Sequence, residues 1–278
     1  CHADQRDAAE VATMAAFEMA ERVNGCASDY LPESELSQLA GARVGEPVTL
    51  TPLLFELLEH SQVLAEKTGG AFDPSLGPLT RLWRETRASA RLPDVAVLRD
   101  ARFAAGWRHF TLDPTTRSVT LHREKMSFDL GAVAKGYAAD LMLESLASAG
   151  FRQSMIAAGG DIRLGDPPPE REGWRVAVQT FDLARSDEVL VLSNAAVSTS
   201  GDLHQSVEID GVKYSHILDP ATGLGLTRRI AATVIASEAK ISDPLATVAC
   251  VLGLEADKFL KKLPGVREVK IRVVEDLQ

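Results

Sequence analysis

Asp243 and Thr247 stand four residues apart in ISDPLATVAC, a spacing that on a helix puts a carboxylate and a hydroxyl on one face. Both are hard oxygen donors of the kind magnesium accepts. The same segment also reads as ordinary helix punctuation, with Ser242 as a cap, Asp243 near the positive end and Thr247 bonding back to its own helix. Other groups are equally double-edged. The run Ser198-Thr199-Ser200-Gly201-Asp202 offers hydroxyl and N–H donors suited to phosphate or ribose, yet such runs are common in loops. Gly159-Gly160-Asp161 fits a nucleotide-facing turn or a plain strand corner. Asp129 precedes a helical pattern, where the helix dipole alone favours an acid, and Lys135 on that pattern reads by itself as a solvated side chain. His216, in YSHILDP at the end of a hairpin strand, is the kind of titratable group a general base requires.

These groups need rigid elements to hold them. Residues 7–23 place apolar side chains at three-to-four-residue spacing, the pattern of an amphipathic helix. Thr51 as N-cap and Pro52 at the first helical position open a second helix, which ends at Lys67 before Gly69 and Gly70. Ala71-Phe72-Asp73-Pro74 then opens a turn-rich loop expected to run through Gly77-Pro78 toward Leu79 and Trp83. A loop at 88–93 and a strand at 118–121 lead to Asp129. Residues 132–149 read as a helix closed by Gly150, and 155–158 as a strand ending in the glycine turn. Residues 174–179 and 189–192 read as strands, and Asp210-Gly211 marks a two-residue hairpin between SVEI and VKYSHIL. The C-terminal part reads as strand 231–236, helix from Ser242, helix 254–263 and strand 268–274. The class is α+β, with mixed or antiparallel sheets and no internal repeat.

A chain of 278 residues, 45% apolar, can bury a large core as one domain or two coupled lobes. Its net charge of -9 argues against nucleic acid as a partner. Carboxylates repel phosphates, so an acidic protein that handles a phosphorylated ligand needs a metal ion or aimed N–H groups. Cys1, Cys26 and Cys250 are scattered with no Cys or His at metal-ligand spacing, which excludes a zinc motif and leaves Cys26 and Cys250 as expected core thiols. No apolar run reaches the roughly 18 residues a membrane span needs, and no signal peptide is evident. The sequence begins at Cys1, as a processed form or a fragment does.

Taken in order, seven segments resemble the FAD:protein FMN transferase (ApbE) family: SDYLPESELSQL (28–39), TGGAFDPSLGPLTRLW (68–83), FDLGAVAKGYAAD (128–140), AAGGDIRLG (157–165), VSTSGD (197–202), YSHILDPATG (214–223) and SDPLATVACVLG (242–253). The resemblance covers nearly the whole chain and implies a single 1–278 domain of two coupled lobes with FAD between them. It implies a transferase that moves FMN from FAD to a Thr or Ser hydroxyl of an acceptor flavoprotein subunit and releases AMP. Carried over residue by residue, it implies that Tyr30 stacks on the isoalloxazine and that Ala71, Phe72 and Asp73 line the flavin or nucleotide pocket. Asp129, Lys135 and Leu218 would contact FAD, with Gly159, Gly160, Asp161 and Ser200 as further cofactor-binding positions. Mg2+ would be held by the Ala132 carbonyl, Asp243 and Thr247, and His216 would be the base. The family's opening Met-Gly-Thr strand is not found ahead of the first helix. Membrane association through an N-terminal anchor and a periplasmic or extracytoplasmic location are further implications. A Mg-dependent FAD pyrophosphatase and a non-catalytic flavin-binding protein are the rival readings.

Overall fold

In a computed structural model, residues 6–178, 188–201 and 206–273 are described. Cys1, Gln179, Asp202 and Val274 lie outside them. The chain forms two compact units, one of Cys1–Arg22, Val133–Ser200 and Ile230–Gln278, the other of Val23–Ala132 and Gly201–Arg229.

The first unit is built on a five-stranded sheet in the order Val266–Val273, Ile230–Ala236, Ala195–Gly201, Asp161–Leu164, Met155–Ala158. Ile230–Ala236 is buried along its whole length, and its one polar side chain, Thr233, meets the Thr199 hydroxyl at 2.9 Å. Side-chain alternation gives the sheet two apolar faces. Ala196 joins Ala139, Met142, Leu143 and Leu146 of the helix Ala134–Ser148, together with Ala12 and Ala16 of the helix Arg6–Ala27. The neighbouring Val197 joins Leu164, Ile235 and two valines of the hairpin strand Trp174–Val178, which pairs with Glu188–Leu192.

The helix that carries Asp243 runs Ala239–Leu252 and starts three residues before the expected Ser242. Its cap comes from outside the segment. Asp140, on the helix Ala134–Ser148, accepts from the backbone N–H of Ala239 at 3.0 Å and of Lys240 at 2.8 Å, and is paired with Arg163 Nε at 2.6 Å. Ser242 is therefore not a cap; its hydroxyl is buried 2.8 Å from that of Ser198. Pro244 lies inside the helix, where it removes one backbone donor. The two helices approach closely at Gly136, where a Cβ would overlap the Ala239 carbonyl.

In the second unit, an antiparallel sheet of Pro47–Thr49, Ser118–Leu121 and Phe110–Asp113 is joined by the helices Pro52–Lys67, Gly77–Ser89 and Val95–Ala104. The first of these helices is capped as expected, Thr51 accepting from Leu54 N–H. The turn-rich loop is half helix: Pro78 sits in the first turn of Gly77–Ser89, and proline opens a helix as readily as it shapes a loop. That helix also shortens the 88–93 loop and ends at Ala90 in the left-handed region. The hairpin Ser206–Ile209/Val212–Ser215 turns through Asp210 (φ 52°) and Gly211 (φ 78°), the positive pair its sequence called for.

Three smaller expectations shift. The Ser198–Gly201 stretch is the end of a core strand rather than a loop, the 132–149 helix starts at Ala134, and 254–263 divides into a 3-10 turn at Gly253–Glu255 and the short helix Ala256–Leu260. Cys250 is buried as expected, whereas Cys26 is only half-buried and its thiol is pushed up to about 11, first by burial and then by Glu35. Among the described residues no helix is long and apolar enough to cross a membrane.

Asp140→Ala leaves two helix N–H groups without their acceptor and takes the carboxylate from Arg163 Nε, whose guanidinium keeps only backbone carbonyls, so it should destabilise the protein by roughly 3 kcal/mol in a chemical unfolding curve. Asp140→Asn, which keeps an acceptor, should cost less.

Candidate active site

The close contact at Gly136 brings the two helices' polar groups to one point in the first unit. Lys135 Nζ lies 3.1 and 3.2 Å from the two carboxylate oxygens of Asp243 and 3.3 Å from Asp161 Oδ2. The next residue, Gly136, donates its backbone N–H to Asp243 Oδ2 at 3.0 Å. Both carboxylates are nearly inaccessible, whereas the Lys135 side chain is 45% exposed. One turn further along the Asp243 helix, the Thr247 hydroxyl is 3.2 Å from that of Ser200. Five of the positions expected from sequence, Lys135, Asp161, Ser200, Asp243 and Thr247, thus occupy neighbouring elements of one unit. Lys135 is an ion-pair centre rather than a solvated side chain.

Gly159 and Gly160, both at positive φ, form the two-residue turn between Met155–Ala158 and Asp161–Leu164. The strand-corner reading of this pair is therefore correct. It has a second effect, since the Lys135 stem passes 3.5 Å from where a Gly159 Cβ would lie.

Two carboxylates against one ammonium leave a negative charge over. Burial raises the Asp243 carboxyl to about 7; Lys135 opposes that rise and Asp161 adds to it. Burial pulls Lys135 down, but the two carboxylates outweigh it and leave the ammonium above its ordinary value. Among the described residues no three His, Cys, Asp or Glu side chains converge on a metal position. A cation here would therefore complete its shell from hydroxyl, carbonyl, water or ligand oxygens, which is the habit of magnesium. The donor set fits that ion: an over-negative, nearly inaccessible carboxylate pair with a threonine hydroxyl one turn away.

The second unit holds the remaining expected positions. Tyr30 is 72% exposed, and the Arg84 guanidinium carbon lies 4.1 Å from its ring centroid. Arg84 also pairs with Asp29 at 2.6 Å and Asp129 at 3.4 Å. Asp129 therefore answers to a guanidinium rather than a helix dipole, and its second oxygen accepts from Gly131 N–H at 2.8 Å. Burial, then Asp29, holds its carboxyl above the ordinary value against Gly131 and Arg84. Asp73 spends its carboxylate within its own unit, accepting from Ser75 N–H and hydroxyl at 2.8 and 2.6 Å and from Trp107 N–H at 3.0 Å. Phe72 is buried and Ala71 half-buried. Leu218 packs with Leu79, Trp83 and Ala105, so its side chain belongs to the core. His216 is half-buried in the bend that follows Val212–Ser215, and Ala132 lies in the turn that closes this unit. Sequence reasoning missed Arg84, Asp29 and Asp140. The only local signal for Arg84 is its place next to Trp83, where the expected loop ends and the helix Gly77–Ser89 continues.

The helix Ala239–Leu252 thus gathers a buried dicarboxylate–lysine cluster and a threonine hydroxyl in an α+β chain. The sequence profile of the ApbE family matches residues 2–270, and the chain belongs to that family. It is 32% identical to the FAD:protein FMN transferase of Vibrio cholerae over 84% of this chain and 71% of that protein. To the FAD:protein FMN transferase of Treponema pallidum it is 31% identical, over 94% of this chain and 78% of that protein. Among solved structures, the ApbE protein of Thermotoga maritima superposes with a TM-score of 0.85 at 28% identity, covering 95% of this chain and 86% of that one. The apo flavinyl transferase ApbE of Pseudomonas stutzeri gives 0.83 at 25% identity, covering 96% and 83%.

A raised carboxyl pKa means that the folded protein holds a proton the unfolded chain has lost. Its destabilising effect is absent below about pH 4 and complete above about 7. In metal-free buffer, Asp243→Asn, which imitates the protonated group, should gain stability over the unchanged protein as pH rises from about 5 to 8, by at least about 1 kcal/mol. Thermal unfolding across that range measures the difference.

Proposed function

We propose that this chain is a magnesium-dependent FAD:protein FMN transferase that moves FMN from FAD to a Thr or Ser hydroxyl of an acceptor protein. The observation that carries the reading is the Asp161–Lys135–Asp243 cluster with Thr247 and Ser200 beside it, in a chain of the ApbE family whose relatives bear that activity as their name. In the transfer, the acceptor oxygen forms a bond to the flavin-side phosphorus as the bond from that phosphorus to AMP breaks, and the hydroxyl proton leaves to a base. Magnesium held by Asp243 and Thr247 would supply charge neutralisation on the pyrophosphate. Lys135 adds a fixed positive charge for phosphate oxygens, and Asp161 holds it in place. Tyr30 presents an aromatic face to the flavin. His216 takes the acceptor proton, the work for which a near-neutral imidazole is suited. We further propose a periplasmic or extracytoplasmic location for this protein, with membrane association through an N-terminal anchor.

With FAD, magnesium and a candidate acceptor protein, the acceptor should become covalently fluorescent on a denaturing gel, with AMP released, and a chelator should stop both. AMP and free FMN without a labelled acceptor would point to a pyrophosphatase, and FAD binding without AMP would leave only a carrier. His216→Ala should slow transfer by about 10² to 10⁴-fold while FAD affinity is kept. Normal transfer by that variant would remove His216 from the role.

A further inference from the structure

Arg84 carries no role in the reading above, yet it pairs with two carboxylates and stacks on an aromatic ring. We propose that Arg84 is the positioning residue for flavin binding, the flat base that holds the Tyr30 ring in place for a stacked ligand; this rests on the flavin-transfer reading. An exposed tyrosine ordinarily samples several rotamers, and ordering it at the moment of binding weakens binding. Here one face of the ring lies on a guanidinium, 4.1 Å away, while 72% of the residue stays open. That guanidinium is itself tethered. One nitrogen is 2.6 Å from Asp29, the residue before Tyr30, and another is 3.4 Å from Asp129. Its helix is anchored next door, where the Trp83 indole donates to the Ser215 carbonyl at 3.0 Å and meets the Tyr214 ring edge-on.

The tether extends further. Asp129 N–H donates to the Pro74 carbonyl at 2.8 Å, which ties the Ala71-Phe72-Asp73-Pro74 turn to the same group. Arg84 thus touches two segments, around Tyr30 and Asp129, and the Asp129 backbone ties in a third, the turn at Asp73; the family resemblance named all three separately. Planarity matters as much as charge. Guanidinium can stack on a ring and pair with two carboxylates at once, whereas a lysine ammonium keeps the pairing and loses the stack.

That difference provides the test. FAD dissociation constants are measured by flavin fluorescence on the full chain without metal, for the unchanged protein, Arg84→Lys, Tyr30→Ala and the double variant, alongside thermal unfolding of each. Arg84→Lys should weaken FAD binding about threefold to tenfold, the cost of ordering one aromatic side chain. In the Tyr30→Ala background the same change should alter affinity by less than about twofold, because the stack is already gone. Equal losses in both backgrounds, no loss in either, or an Arg84→Lys protein that no longer unfolds cooperatively would each overturn the assignment. If Tyr30→Ala binds FAD as well as the unchanged protein, the positioning role fails while the transferase reading stands. If the unchanged protein does not bind FAD, both fall.

Discussion

The structure of the first unit turns on one unequal contact: two nearly inaccessible carboxylates, Asp161 and Asp243, facing the single ammonium of Lys135. Desolvating both acids is costly, and one cation cannot offset two charges, so the Asp243 carboxyl is held well above its ordinary pKa. The arrangement exists only because two helices meet at Gly136, where any side chain would strike the Ala239 carbonyl. Asp140 secures the same junction by capping the helix on which Asp243 rides. A site built this way is strained toward gaining positive charge. A cation at such a site is one way for a protein of net charge -9 to accept a phosphorylated ligand.

The second unit repeats the motif with a different cation. Asp29 and Asp129 share Arg84 as Asp161 and Asp243 share Lys135. The two cations differ in what they permit. A lysine is a point charge on a flexible stem and can trade one partner for another, whereas arginine binds by a fixed plane and remains charged throughout. The lysine cluster is therefore suited to exchanging ions, and the arginine cluster to holding geometry. The first fits chemistry at phosphate and the second the presentation of an aromatic face.

Features set by neighbours in sequence were legible before the fold. Thr51-Pro52 and the Gly69-Gly70 stop bracket a real helix, Asp210-Gly211 turns a real hairpin, and the strands at 118–121 and 155–158 fall where their patterns placed them. Asp243 and Thr247 were legible as a pair because helical spacing is local. What was not legible depended on distant partners. Lys135 reads as a surface residue until Asp243, 108 positions away, is brought against it. The cap of the Asp243 helix lies on another helix, so the sequence invited Ser242 as a substitute. Arg84 was hidden because Gly77-Pro78 resembles a turn as much as a helix start, and because aspartates 55 and 45 positions away complete its role. Family resemblance singled out Tyr30 and Asp129, which no local rule would have chosen, but not the guanidinium of Arg84 that lies against both.

In the proposed function, Asp243 and its cluster form a cation site that works together with FAD. Paramagnetic manganese in place of magnesium tests it directly: the free-ion resonance signal is followed as the metal is titrated into FAD-saturated protein. The account predicts that the unchanged protein removes metal from solution and that Asp243→Asn, still holding FAD, does not. Equal metal uptake by the two proteins would contradict it.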